Sequence, residues 1–443
     1  MTLRTVDSAI TACRFPLLSR SLLSSIVDCR VQSRWSDKSS SRPDWKYGFP
    51  RFLSSGLSQR SSKDRTFNYS VAASFIAKDQ NFDPSTHVFH FNGDLPPKRP
   101  RRKSSRPASG QDAFFVSPLC ADNASSCVAL GVADGVGGWM DSGVDPADFA
   151  HSLCDYMAAE ACWNHSASGA AAEGTKGNDE APSGTTLTAR QLMQKGYEAV
   201  CRDPAIQAGG STATVALLCS DGTLDVANLG DSGFIHLRPN RVQACSVPQI
   251  HAFNTPFQLS VVPPGVMRRM AAFGGAQLSD LPRDAEVSRH VLSHGDVLIF
   301  ATDGLWDNLF NQDILRVVSR TMASAGAWVS SCTAPSGAGI GVAADLTPQT
   351  RLKGTHPDAV GEEQHQKLTA SNTASTTLQS RLATELVGAA KAASINSKLD
   401  GPFAKEVRRY YPSDPWRGGK VDDICIIAVV VSEMTRESRK ARL

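Results

Sequence analysis

Three aspartates, far apart in the chain, each lie next to a strongly apolar segment. Asp134 and Asp303 each follow such a segment and precede a glycine, and Asp422 lies just before the apolar run Ile424–Val431. A single Asp-Gly pair indicates only a turn. A carboxylate at the end of a buried strand, however, needs a partner, and a hard cation with oxygen ligands suits it. The three aspartates therefore predict a site for divalent metal ions.

The apolar patterns also indicate which elements would position these carboxylates. Near-continuous β-branched runs favour strands buried on both faces, and short turns between apolar segments favour a meander. Strands grouped in hairpins, with helices between the groups, predict an α+β fold with antiparallel sheets. The predicted strands are Thr212–Cys219, Leu224–Leu229, Phe234–Arg238, Val297–Ala301 and Ile424–Val431, and the predicted helices are Pro146–Ala161, Ala189–Cys201 and Gln312–Met322.

Six short motifs follow one another along the chain: GQDAFFV, GVADGVGGW, GGSTATV, ANLGDSG, ATDGLWDNL and VDDICIIAV. This ordered set resembles the protein phosphatase 2C family over residues 67–435. The GVGGW sequence and the segment Phe253–Ser260 are similar to the mitochondrial PTC-seven branch of that family. The resemblance implies two antiparallel sheets packed face to face, flanked by helices, with metal ions in a cleft at one edge.

The resemblance also implies an oxygen-only site for two Mg²⁺ or Mn²⁺ ions, with a third ion bound more weakly. Chemically this agrees with the absence of His from these motifs, whose one cysteine, Cys425, lies inside the apolar run of VDDICIIAV. The implied ligands are Asp134, bridging the two ions, the carbonyl of Gly135 at the first ion, Asp303 and Asp422 at the second, and Asp307 at the third.

Further roles follow from the same resemblance. Asp112 would orient metal-bound water, and Arg106, after the basic run Lys98–Lys103, is the nearest candidate to bind the substrate phosphate. The basic run itself fits a solvated loop, a nuclear signal or a docking surface for acidic substrates. Two residues depart from the family pattern: Val136 replaces a histidine proposed to protonate the leaving group, and Gln111 replaces a glutamate that binds water.

The predicted reaction is hydrolysis of phosphoserine or phosphothreonine in phosphoprotein substrates. A pair of divalent ions makes hydroxide available near neutral pH by lowering the pKa of a bridging water, and neutralises the phosphoryl oxygens. No covalent nucleophile is needed. The alternative is a metal-binding scaffold without turnover, which Val136 and Gln111 would favour. A serine-protease interpretation of Gly230–Gly233 fails because no suitable upstream His and Asp accompany it, so this segment is interpreted as a hairpin turn.

The composition excludes several other classes of protein. The chain has 443 residues, with 46 Lys and Arg against 43 Asp and Glu, and its net charge of +3 predicts no general attraction to nucleic acid. No apolar run approaches the roughly 18 residues that cross a bilayer. The 11 cysteines include no Cys-x-x-Cys pair, which favours a reducing compartment over a zinc ribbon or a disulfide scaffold. We expect a monomer that neither spans a membrane nor binds nucleic acid.

The chain is predicted to contain one phosphatase domain, residues 67–435. Residues 1–66 are rich in Ser and Arg and poor in acid, which is typical of a transit peptide; this predicts a mitochondrial location, in the matrix, with plastid and cytoplasm or nucleus as alternatives. Two segments rich in small and polar residues, 166–186 and 323–370, are predicted to be insertions that cannot pack a core. Residues 436–443 form a basic tail.

Overall fold

A computed structural model of the chain describes residues 65–119, 127–164, 187–272, 279–331, 339–351 and 376–434. All of these belong to one compact unit, Arg60–Leu443. The predicted transit peptide, apart from its last two residues, lies outside the described residues, as do the insertion at 166–186 and the basic tail. Within the described ranges, no helix is long and apolar enough to span a membrane.

Seventeen strands are present in the described residues. They are β1 (Phe67–Ile76), β2 (Val88–His90), β3 (Asp112–Pro118), β4 (Val128–Asp134), β5 (Gly209–Ser211), β6 (Ala213–Leu218), β7 (Thr223–Leu229), β8 (Gly233–Arg238), β9 (Arg241–Cys245), β10 (Ile250–Ala252), β11 (Thr255–Pro256), β12 (Leu259–Val261), β13 (Glu286–Val291), β14 (Val297–Ala301), β15 (Trp328–Ser331), β16 (Gly339–Val342) and β17 (Ile424–Glu433).

The same residues contain eight α-helices. They are α1 (Pro146–Ala159), α2 (Ala189–Arg202), α3 (Pro264–Ala272), α4 (Asp303–Trp306), α5 (Asn311–Ser324), α6 (Thr347–Thr350), α7 (Leu378–Ser394) and α8 (Pro402–Tyr410). Every strand and helix predicted from the sequence is present, with its ends shifted by at most two residues. The end of α1 continues into a π-helical turn, Glu160–Asn164.

Two antiparallel sheets form the centre of the fold. One has six strands in the order β2-β1-β17-β14-β8-β9, and the other has five in the order β13-β7-β6-β4-β3. A core of buried side chains from both sheets, including Phe75, Phe300 and Ile427 from the first and Phe114 and Leu130 from the second, fills the space between them. The sheets therefore pack face to face, as the apolar runs buried on both faces require.

Helices cover the outer faces of both sheets. A second core lies between the five-stranded sheet and helices α1 and α2, and includes Phe149 and Leu192. A third lies between the six-stranded sheet and helices α5 and α7, and includes Ile314 and Leu386. The order of layers is helix, sheet, sheet, helix, so the predicted α+β sandwich of two antiparallel sheets flanked by helices is confirmed.

The prediction that residues 323–370 cannot pack a core is wrong for the part that the structure describes. Ala327, Trp328 and Leu346 are all buried in the core beneath α5 and α7. Trp328 also donates its indole N–H to the carbonyl of Gly295 at 3.0 Å. The low-complexity composition concealed these few apolar residues, because a single tryptophan in a hairpin can anchor a segment that is otherwise small and polar.

Candidate metal centre

The candidate site lies at an edge of the sandwich where four strands begin or end. β4 ends at Asp134, and β3 begins at Asp112, its partner in the strand register. β14 ends just before Thr302, and Asp422 lies two residues before β17. The Thr302 hydroxyl donates to Asp112 Oδ2 at 2.7 Å, which joins the two sheets at this edge. Antiparallel pairing thus gathers segments that are far apart in the sequence.

The GGSTATV motif holds the backbone of Asp134. The Asp134 N–H donates to Thr212 Oγ1 at 3.0 Å, and the Asp134 carbonyl accepts from the Thr212 N–H at 2.9 Å and the Ser211 hydroxyl at 2.8 Å. The Thr212 hydroxyl in turn bonds that of Ser232 at 2.7 Å. These hydrogen bonds from neutral groups fix the backbone of Asp134, from which its side chain extends. They do not offset the negative charge of its carboxylate.

Lys420 lies among three of the predicted metal ligands. Its ammonium is 2.5 Å from Asp303 Oδ2, 2.8 Å from Asp307 Oδ2 and 3.1 Å from Asp422 Oδ2. Burial lowers the pKa of Lys420, but these three carboxylates outweigh burial and hold that pKa well above its usual range. Sequence reasoning missed Lys420, since a lone lysine before Val421 carries no pattern.

Asn308 fixes the position of Lys420. Its side-chain amide donates to the Lys420 carbonyl at 2.9 Å, while its Oδ1 accepts from the Lys420 N–H at 3.0 Å. The same amide also donates to the carbonyl of Gly304 at 3.0 Å. The ATDGLWDNL motif therefore supplies two carboxylates at the site and the amide that holds the opposing segment.

Repulsion between buried carboxylates governs the rest of the site. Burial raises the pKa of Asp134 well above its usual value, and the charges of Asp303, Asp112 and Asp422 raise it further. Burial likewise raises the pKa of Asp112, with a further contribution from Asp423, although the bond from Thr302 acts in the opposite direction. Several carboxylates thus share one poorly solvated region, where added positive charge would stabilise their ionised forms.

Asp231 belongs to the same cluster, and the interpretation of Gly230–Gly233 as a hairpin turn is wrong, because this segment joins β7 of the five-stranded sheet to β8 of the six-stranded sheet. Burial raises its pKa to about 8, and the charges of Asp303 and Asp307 contribute. Its Oδ1 is buried and has no hydrogen-bond partner among the described residues. The sequence did offer a clue, because Asp231 is the acidic residue of the ANLGDSG motif.

The donor set fits hard divalent cations such as Mg²⁺ or Mn²⁺. The oxygen donors gathered around Lys420 are carboxylates, and the buried Oδ1 of Asp231 would gain a partner. As arranged around Lys420, however, no group of three or more His, Cys, Asp or Glu within the described ranges has the spacing to hold an ion. The carboxylate oxygens lie 2.5 Å, 2.8 Å and 3.1 Å from the Lys420 ammonium. These distances exceed the roughly 2.0–2.1 Å of a magnesium–oxygen bond. The charge and the ligand chemistry of the cluster therefore suit these ions, but its carboxylates would have to move closer together to bind one.

Gly135 occupies a position where no side chain fits. A Cβ there would lie 2.8 Å from the Pro146 carbonyl oxygen and 2.9 Å from that of Gln111. The Gly135 N–H donates to the same Gln111 oxygen at 3.2 Å. The close approach of β4 to this loop explains why glycine follows Asp134, and it leaves the predicted metal-binding role of the Gly135 carbonyl as a prediction.

The adjacent residues Asp422 and Asp423 have different surroundings. Asp422 contacts Lys420, whereas Asp423 accepts the backbone N–H groups of Lys78 at 2.7 Å and Gln111 at 2.8 Å. Asp423 also fills the space that a side chain at Gly110 would need. Asp423 thus ties the start of β17 to two loops, and Asp422 faces the other carboxylates.

Arg106 is not among the residues that the structure gathers at the cluster. Its Nη1 pairs with Asp148 on α1 at 2.7 Å, and the arginine side chain is only 12% exposed. Lys103 bonds Asp145 and Asp148, and Arg101 bonds the buried Asp155. Much of the basic run therefore packs against α1, and the predicted phosphate-binding role of Arg106 stays a prediction.

Comparison with known proteins places these motifs in context. No family model matches the chain. The chain is 36% identical over 225 residues to "Protein phosphatase PTC7 homolog fig" of Drosophila ananassae, covering 51% of this chain and 58% of the relative. It is 32% identical over 253 residues to "Protein phosphatase 2C homolog 7, mitochondrial" of Saccharomyces cerevisiae, covering 57% and 65%. The resemblance to the protein phosphatase 2C family is confirmed.

The matched regions span less than two thirds of either relative's length. Among solved structures, the photosystem II phosphatase PBCP aligns with a TM-score of 0.49 and 20% identity, covering 82% of this chain and 98% of that protein. The fold assignment for this chain rests on its own sheet order and cores.

Proposed function

We propose that this chain is a metal-dependent phosphatase that hydrolyses phosphoserine and phosphothreonine in proteins. The observation that carries the proposal is the gathering of Asp134, Asp303 and Asp422 at one edge of the sandwich, together with Asp112 and Asp307. Burying so many carboxylates together is unfavourable unless cations bind there. The similarity of the sequence to named protein phosphatases supports the same conclusion.

The residues that would hold the ions are Asp134, the carbonyl of Gly135, Asp303 and Asp422, with Asp307 and Asp231 near a third. When bound, two such ions supply an activated water as nucleophile and neutralise the phosphoryl oxygens. Other residues of the chain hold these carboxylates in position. The Thr302 hydroxyl bonds the Asp112 side chain, and Thr212 bonds the backbone of Asp134.

Charge placement near the cluster bears on substrate binding and on the leaving group. The Lys420 ammonium adds positive charge beside the region where a phosphate would bind, and Arg106 is proposed as a second cation for that phosphate. Val136, next to Gly135, cannot donate a proton to the departing serine or threonine oxygen. The proposal therefore assigns residues to metal binding, phosphate binding and attack, and none to protonation of the departing oxygen.

The proposed location is the mitochondrion, with phosphoproteins of that compartment as substrates. The name of the yeast relative carries the word mitochondrial, and the composition of residues 1–66 is typical of a transit peptide. A fluorescent fusion of the full chain should enter mitochondria, and the same fusion lacking residues 1–66 should not. An unchanged location after the deletion would remove the basis for this assignment.

The enzymatic proposal is tested by hydrolysis of a phosphothreonine peptide with and without Mn²⁺. We expect metal-dependent release of phosphate by the wild type and a loss of at least about 10³-fold in Asp134→Ala and Asp303→Ala. Asp221→Ala, at an exposed turn far from the cluster, is the control and should retain activity. Activity surviving both substitutions would refute the metal assignment, and inactivity of a folded, metal-supplied wild type would favour a scaffold without turnover.

A further inference from the structure

Two cysteines face each other at the start of β4 and the end of β6. Val128 pairs with Leu218 in the antiparallel register, so Cys127 and Cys219 are the next opposed positions. Opposed residues of antiparallel strands have Cα atoms about 4.5–5.5 Å apart, which lies within the range that a disulfide spans. The strand register therefore brings the two Cα atoms within the reach of a disulfide.

The side chains of this thiol pair also interact. The Cys219 thiol hydrogen-bonds Cys127, which lowers the pKa of Cys127 to about 6 despite its partial burial. The Ser220 N–H donates to Cys127 Sγ at 3.4 Å and acts in the same direction. The nearby charge of Asp221 opposes both. The lowered pKa of Cys127 favours its thiolate, the form that reacts with disulfides.

The surroundings hold the pair in place without sealing it from solvent. The Tyr69 hydroxyl donates to the carbonyl of Cys219, and the Leu119 N–H donates to that of Cys127 at 3.0 Å. Both cysteines are partly exposed, whereas Cys425 is fully buried and burial raises its pKa well above the usual value. Reactivity with a soluble oxidant is thus expected at the thiol pair and not at Cys425.

We propose that Cys127 and Cys219 are a redox modification site, at which a low-molecular-weight disulfide introduces a reversible cross-link between β4 and β6. The Cys127 thiolate attacks one sulfur of the small disulfide, forming a mixed disulfide and releasing one small thiolate. Cys219 then loses its proton to solvent and attacks Cys127 Sγ, releasing the second. The two protein thiols are oxidised, and the small disulfide is reduced to two thiols.

The cross-link would act on the sheet and not on the candidate metal ligands directly. Cys127 and Asp134 lie at opposite ends of β4, roughly 20 Å apart at the rise of an extended strand. The bond would close a long loop that includes α1 and α2, and it should raise the melting temperature by about 5 °C. The cross-link does not depend on phosphatase activity.

The test is incubation of the full chain with oxidised glutathione, followed by peptide mapping by mass spectrometry without reduction. We expect a peptide linked through Cys127 and Cys219, reversal by dithiothreitol, and the rise in melting temperature in the oxidised wild type. Cys219→Ser should instead accumulate a stable glutathione adduct on Cys127, and Cys127→Ser should show neither product at this pair. Cys245→Ser, which removes an exposed cysteine elsewhere, is the matched control and should behave as the wild type does.

Three results would overturn the proposal. They are a stable glutathione adduct on Cys127 in the wild type, a bond from Cys127 to a different cysteine such as Cys120, or no modification of either residue. Each can be read from the wild-type peptide map alone, so the test does not depend on whether the variants fold. Far-ultraviolet circular dichroism of the serine variants shows whether their maps are comparable.

Discussion

Strand β4 connects two regions with opposite electrostatic character. At its end, Asp134 lies among carboxylates, and burial with like charges raises its pKa. Just before its start, a hydrogen bond from a neighbouring thiol lowers the pKa of Cys127. At the thiol end, neutral donors stabilise one anion, whereas at the carboxylate end several anions compete and Lys420 is the cation in contact with three of them. Unfavourable electrostatic energy is therefore concentrated at the end that carries the proposed chemistry.

The sharpest test of this contrast is Lys420→Met in the presence of a chelator. Removing the ammonium leaves Asp303, Asp307 and Asp422 without their positive partner, and losing one partner of a buried ion pair costs about 3 kcal/mol of unfolding free energy. Urea denaturation measures the loss. The control is Lys103→Met, whose exposed contacts with Asp145 and Asp148 should contribute at most about 1 kcal/mol. Equal losses would show that the cluster is far better solvated than its burial indicates.

A second test concerns the glycine that follows Asp134. Gly135→Ala places a methyl group against two backbone oxygens, and we expect a cost of about 2 kcal/mol and a large loss of phosphatase activity as Asp134 shifts. Gly138→Ala, in the same loop, meets nothing within 4 Å and is the matched control. Thermal denaturation and the Mn²⁺-dependent rate are measured on both variants. Normal activity in Gly135→Ala would separate this close packing from the function of the site.

The substitution Asp231→Asn should raise stability, whereas Lys420→Met and Gly135→Ala should lower it. The pKa of Asp231 is raised to about 8 in the folded protein, so the native state binds more protons than the unfolded chain between roughly pH 4 and pH 8. Stability from this residue therefore falls as the pH rises through that window. With chelator at pH 8, we expect the asparagine variant to be more stable by at least about 1 kcal/mol, the equivalent of a single pKa unit, with little difference near pH 4. If the asparagine variant were less stable than the wild type at pH 8, the proposed repulsion between Asp231 and the neighbouring carboxylates would be contradicted.

A substitution at the thiol end of β4 should change stability less than any of the substitutions above. Its main effect should be on the reactivity of Cys127. Cys219→Ala removes the bond that lowers the pKa of Cys127, so that pKa should move towards the ordinary value near 8.5 and alkylation at pH 7 should slow about tenfold. Mass spectrometry of iodoacetamide-treated protein follows the rate at Cys127, with Cys245 in the same samples as an internal reference. An unchanged rate would mean that another group sets the reactivity of Cys127.

The apolar runs predicted the framework of the site well. Val297–Ala301 is a strand with the predicted bounds, and the run from Ile424 differs only in extending to Glu433. A short run of β-branched residues favours a buried strand over a helix, so the residues at its ends can be located along the chain. The family resemblance then supplied which ends come together, a fact that periodicity alone does not contain.

Other features depend on tertiary contacts that leave no local trace. Asp422 and Asp423 are adjacent and identical in type, yet only the backbone groups of Lys78 and Gln111 reveal that the second one is structural. The same holds for Lys420, whose partners Asp303 and Asp307 lie more than a hundred residues earlier in the chain. The predicted roles of Asp112, Gly135 and Asp307 as ligands or water-orienting groups stay predictions, although all three lie at the cluster.

The central position of β17 has a consequence for how the protein assembles. It pairs with β1 on one side and β14 on the other, so the first and last described strands are neighbours in the middle of the six-stranded sheet. During synthesis β1 must wait for nearly the whole domain before its partner emerges, and closing so long a loop is slow. Lys420 and Asp422 arrive on that same segment. The positive charge that moderates the repulsion among the other carboxylates therefore joins them only with the last strand to be synthesised.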